Sequence, residues 1–164
     1  MYKGETQAEM TQTTWVYDDG GRAAAGFKGE TGDCVVRAIV IATGLPYREI
    51  YDAINVAAKS ERPSKRRRGK SSARTGVHKP LYHSYLMSLG WIWTPTMRIG
   101  SGCRVHLRAD ELPNGRLIVA VSKHLVAVLD GVIHDLADPS RDGTRCVYGY
   151  FREERDGGSG QAAV

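Results

Sequence analysis

Long apolar runs are missing from this 164-residue chain. None approaches the roughly eighteen consecutive apolar residues that span a bilayer. The opening residues, Met1-Tyr2-Lys3-Gly4-Glu5-Thr6-Gln7, lack the apolar centre of a secretion signal. The reading is therefore a protein that neither crosses a membrane nor leaves by the usual secretory route, and that has no membrane partner. Cysteine is scarce as well. Cys34, Cys103 and Cys146 stand at unrelated spacings, which fits neither a disulfide framework nor a zinc finger, and an odd number of thiols suits a reducing, cytoplasmic compartment. No Gly-rich loop joins a strand to a helix, so a P-loop or dinucleotide-binding unit is not supported and no cofactor is expected. Cys103-Arg104-Val105-His106 has the spacing of half a zinc site, which Cys146 or His134 could extend, but no second paired motif completes four ligands, so no metal is expected.

Charge is unevenly spread. The formal +5 is concentrated between Lys59 and Arg74, where eight basic residues face the single acid Glu61; the remainder carries fifteen basic and seventeen acidic residues. The basic character thus describes one segment, 59–76, interrupted by Pro63 and Gly69 and read as a mobile surface loop. Its Lys65, Arg66, Arg67 and Arg68 could contact nucleic acid or another polyanion, although no aromatic residue is interleaved to stack on bases.

The length suits one domain with a real core. Residues 1–14 and 154–164 read as flexible ends, the second rich in Gly, with one domain over 15–153. Trp15-Val16-Tyr17 reads as a short strand ended by the turn Asp18-Asp19-Gly20-Gly21. Asp33 as N-cap and Gly44 as stop enclose an almost wholly apolar helix, and Pro46 opens a second helix to Ala58 with Ile50, Ala53, Ile54 and Ala57 at helical spacing. A third helix runs from Lys79 or Pro80 to Leu89, with His78 and His83 read as solvated around its start. Trp91–Thr94 and Val105–Leu107 read as strands, Ala109–Leu112 as a helical turn. Strands over 116–121, 123–129, 132–135 and 145–152 follow. Helices first and sheet after predicts an α+β fold.

Cys34 occupies the first turn of the apolar helix, where unpaired N–H groups and the positive end of the helix dipole favour a thiolate. A cysteine there also fits as a small buried hydrophobe, so a partner decides. Asp130-Gly131 is a strong hairpin signal. A two-residue loop there pairs Val126 with Asp135 and His124 with Ala137, which puts Asp135 on the face of His124, one diagonal away. Asp138 has the wrong parity in that register and ranks second as the carboxylate that would orient the imidazole. Cys34, His124 and Asp135 then form a nucleophile, a base and an orienting carboxylate, in that order.

Gly32-Asp33-Cys34-Val35-Val36-Arg37-Ala38, together with Leu117 through Val128 leading into and past His124 and the pair Asp138-Pro139, resembles the papain-like cysteine peptidase superfamily. The nearest flavour is the bacteriocin-leader-processing type and the small bacterial and phage proteins like it. The resemblance covers about residues 26 to 151. It implies a cysteine opening the central helix of a helical N-terminal part, packed on a C-terminal antiparallel sheet that carries the histidine and its orienter. It also implies hydrolysis of a protein or peptide substrate through an acyl-enzyme, in a host cytoplasm or a virion if phage-encoded. These enzymes place a Gln six residues before the cysteine as the second oxyanion donor beside the cysteine N–H; this chain has Lys28 there, whose ammonium could donate instead. The same groups would serve an acyltransferase, transglutaminase or deamidase. A noncatalytic module of this fold, binding through the basic loop, is the reading from a different class.

Overall fold

The computed structural model describes residues 13–67 and 69–157; residues 1–12, Arg68 and 158–164, which hold most of both expected flexible ends, lie outside the described part. Three helices, α1 (Cys34–Thr43), α2 (Tyr47–Lys59) and α3 (Lys79–Ser88), pack on one mixed sheet. Its strands are β1 (Trp15–Tyr17), β2 (Trp91–Pro95), β3 (Arg116–Val121), β4 (His124–Leu129), β5 (Val132–Asp135) and β6 (Val147–Glu153), and their spatial order is β1-β5-β4-β3-β6-β2. The class is α+β. The sheet is not purely antiparallel and not purely C-terminal. β1, which precedes the helices, joins one edge parallel to β5, and β2, which directly follows α3, joins the other edge antiparallel to β6.

The apolar helix is explained by its position. Val36, Ile39 and Ala42 of α1 are fully buried between the sheet and the other helices, and Gly44 ends the helix in the left-handed conformation, its N–H donating to the Val40 carbonyl. The central strands are apolar on both sides because both faces are covered. Ile118, Ala120, Leu125, Ala127 and Phe151 meet the helices, while Leu117, Val119, Val126, Val128 and Ile133 pack beneath Leu107 and Leu112. Burial of this kind contributes about 25 cal/mol for each Å² of apolar surface removed from water.

Several local expectations need correction. Residues 105–107 do not form a strand. They make one bridge, His106 to Cys146, whereas residues 109–111 do form a turn, the Glu111 N–H donating to the Arg108 carbonyl. That bridge brings Cys103 and Cys146 together, with Cα atoms 5.7 Å apart, and the two sulfurs are bonded, leaving Cys34 as the free thiol. Pairing through space, which unrelated spacings cannot reveal, overrides the reading of three free cysteines. His106 is engaged by Glu111 and His134 by Asp18, so the suggested zinc ligands are spoken for elsewhere; among the described residues no group of three or more His, Cys, Asp and Glu could hold a metal ion. The segment 59–76 is not one surface loop. Lys65 and Arg66 are exposed in a turn closed by Ser64 and Arg67, but Ala73 is fully buried and its N–H donates to the Asn55 side chain. His83 is not solvated; its ring lies 4.7 Å from both Trp93 and Phe151. Among the described residues no helix is long and apolar enough to cross a membrane.

Candidate active site

The Asp130-Gly131 turn has positive φ at both residues, 47° and 79°, which matches the right-handed twist of the strands it joins. The resulting register pairs Leu129 with Val132, Val128 with Ile133 and Ala127 with His134. Continued by one step it sets Asp135 across from Val126, so Asp135 and His124 share a face. Their side chains meet: His124 Nε2 lies 2.5 Å from Asp135 Oδ2. This leaves Nδ1 as the nitrogen for Cys34, whose thiol lies near enough for the imidazole to pull its pKa down. Asp138, the second-ranked carboxylate, is exposed and accepts the Ser140 N–H at 2.9 Å instead.

The start of α1 is fixed from several directions. Gly32 donates its N–H to the Arg74 carbonyl at 2.7 Å, and a Cβ there would stand 2.9 Å from the Thr75 carbonyl oxygen, so only glycine fits this crossing. Asp33 does not cap the helix with its side chain. Its carboxylate accepts from Arg37 Nη1 at 2.6 Å and from the Tyr47 hydroxyl at 2.6 Å, with Arg22 Nε at 3.6 Å. Arg37, one turn into α1 and only 6% exposed, also reaches Asp135 Oδ1 with Nη2 at 3.3 Å. The same Oδ1 accepts the Leu136 N–H at 2.8 Å. A buried guanidinium thus ties the helix that carries Cys34 to the carboxylate that holds His124. Sequence reasoning registered Arg37 only as a polar exception in an apolar helix; its signal was the spacing of four from Asp33.

The electrostatics favour a charged pair. Burial alone would push His124 down, but the Asp135 bond, the Cys34 bond and the charges of both hold it up at about 9. Burial alone would push the Cys34 thiol up. The hydrogen bond and charge of His124, the Leu125 N–H and the Arg37 charge together outweigh it and bring Cys34 below its ordinary value. Both shifts favour a thiolate beside an imidazolium.

Cys34 and His124 open onto a cleft of about 770 Å³ whose walls include Thr75-Gly76-Val77, Trp93 and Tyr148. Lys28 does not reach it. That residue is exposed, and its loop is turned away by Arg74, which donates to the Lys28 carbonyl at 2.9 Å. The proposed lysine donor is thereby excluded in this structure. The cleft holds a different one, which the sequence reading missed. Tyr82, on α3, lines it with a hydroxyl that donates to no acceptor among the described residues, and burial together with the Cys34 charge pushes the phenol up to about 12. It is a neutral donor at any ordinary pH. The Cys34 N–H likewise has no protein acceptor among the described residues, as befits the first residue of a helix.

Compared with family models, with curated proteins and with solved structures, the chain matches none of them.

Proposed function

We propose that this protein is a papain-like thiol hydrolase acting on an amide or isopeptide bond of a protein or peptide. The observation that carries the reading is His124, bonded through Nε2 to Asp135 and sharing one cleft with Cys34 at the start of α1. Cys34 Sγ attacks the carbonyl carbon, and the oxygen takes up charge facing the Cys34 N–H and the Tyr82 hydroxyl. The C–N bond then breaks and His124 gives its proton to the departing amine, leaving a thioester. Water next attacks the thioester, passing a proton to His124, and the acid departs as the thiolate–imidazolium pair is restored. Transfer of the acyl group to an amine, or deamidation of a glutamine, shares the first half and differs only in the acceptor.

The test is formation of the thioester. With p-nitrophenyl acetate, the parent protein should release a burst of nitrophenol and carry one acetyl group on the Cys34 peptide in mass spectrometry. Cys34→Ala and His124→Ala should show neither, and a burst of equal size in both variants would defeat the reading. The exposed Lys65 and Arg66 favour a second reading, a noncatalytic module that holds a polyanion. Binding of nucleic acid that falls steeply with salt, survives Cys34→Ala and disappears when Lys65, Arg66 and Arg67 are neutralised would support that reading.

A further inference from the structure

We infer that the substrate is acidic on its leaving-group side, the part of the chain released as an amine; the inference rests on the thiol-hydrolase reading and names the substrate class that the same site would take. His124 must deliver its proton to the leaving nitrogen, so the released chain departs on the His124 side of the cleft. There a second hollow of about 560 Å³ adjoins the first, and His124 and Lys123 line both.

The charges of this hollow are unbalanced. Its carboxylates are Asp135 and Asp138. Asp135 is taken by His124, Arg37 and the Leu136 N–H, and Asp138 accepts the Ser140 N–H. Its remaining cations are Lys123, Arg141 and Arg145, and among the described residues none of the three has a carboxylate within 4.0 Å. Arg145 donates to two neutral carbonyls, Pro139 and Ser122; burial and the charge of Arg141 disfavour its charged form, and Asp135 acts on it only at longer range, in the opposite sense. The neighbouring cleft adds Lys79, and its one acid, Asp33, is buried against Arg37 and Tyr47. A chain carrying carboxylates would meet three cations, set against the one exposed carboxylate of Asp138, immediately beyond the scissile bond; a chain carrying lysines would be repelled.

The backbone supports a purpose for two of these cations. Lys123 and Arg141 have φ of 56° and 52°, the left-handed region that favours glycine or asparagine. Lys123 is half of the two-residue turn between β3 and β4 and directly precedes His124. Such conformations persist where the surroundings over-determine them, and they gather at functional sites.

The test needs no known substrate. Iodoacetate and iodoacetamide alkylate the same sulfur and differ by one negative charge, so the ratio of their rates at Cys34, read by peptide mapping, measures how the site receives an anion. Each protein's iodoacetamide rate corrects for any change in the thiolate itself. The ratio in the parent should fall about tenfold in Lys123→Glu/Arg141→Glu and should fall with added salt in the parent alone, a measurement that needs no variant to fold. A ratio that neither salt nor charge reversal moves overturns the acidic-substrate inference and leaves the hydrolase reading standing. If Cys34 is inert to both reagents, the hydrolase reading fails and the inference falls with it.

Discussion

Replacing Arg37 with methionine removes the buried guanidinium that ties the Cys34 helix to Asp135. Methionine fills a similar volume but leaves two carboxylates, Asp33 and Asp135, facing the place where a guanidinium stood at 2.6 and 3.3 Å, with side chains only 1% and 8% exposed. Removing one partner of a buried ion pair costs about 3–5 kcal/mol, because the remaining charge stays buried. The lower end applies here. Asp33 keeps the Tyr47 hydroxyl and Arg22, and Asp135 keeps His124 and the Leu136 N–H. A loss of about 3 kcal/mol lowers the melting temperature of a domain this size by about 6–12 °C. Urea denaturation of the parent, Arg37→Met and Asp33→Asn/Arg37→Met measures it, and the double variant should regain part of the loss because one of the two stranded charges is gone. The single variant should also blunt the nucleophile, since Arg37 lowers Cys34 by its charge and steadies the far oxygen of Asp135. Stability within about 1 kcal/mol of the parent would refute the network as described, that margin being the usual worth of an exposed ion pair.

Tyr82→Phe should slow thioester formation from p-nitrophenyl acetate about a hundredfold, the cost of one oxyanion donor, while iodoacetamide alkylation of Cys34, which builds no oxyanion, keeps its rate. The pH dependence of stability carries a second signature. His124 is raised from 6.5 to about 9, so its contribution of up to about 3 kcal/mol is complete below pH 6.5 and is lost as pH rises through about 9. Cys34 is lowered, so its contribution is present above its ordinary value and is lost as pH falls through the folded one. Between the folded Cys34 value and about 9 the two slopes oppose each other. The parent's stability in urea should therefore fall less steeply there than that of Cys34→Ser, which has only the His124–Asp135 bond left. A parent curve that falls as steeply as that of Cys34→Ser would contradict the charged pair.

The elements most legible in the sequence are those whose signals are local. Asp33, Gly44 and Pro46 mark the limits of α1 and α2 to within a residue, and Asp130-Gly131 fixes a register from which the proximity of His124 and Asp135 follows by counting. What sequence could not show depends on the third dimension. Cys103 and Cys146 meet because two loops run side by side, and Tyr82 shares the cleft with Cys34 because α3 packs against α2 and β2. Ala73, inside a stretch whose composition reads as a solvated loop, is drawn into the core by Asn55. Lys28 shows the opposite limit: spacing along the chain put it six residues before the cysteine, and a backbone carbonyl held by Arg74 took it out of the cleft. Arg37 was visible as an oddity, but its second partner is 98 residues away.

The pH dependence of Cys34 alkylation by iodoacetamide, in the parent and in His124→Ala and mapped to the Cys34 peptide, tests the central claim most directly. The account predicts an apparent pKa below the free-thiol value of about 8.5 in the parent and a clear rise in the variant. A Cys34 that stays inert in the folded protein, or that titrates as an ordinary thiol with or without His124, would contradict it.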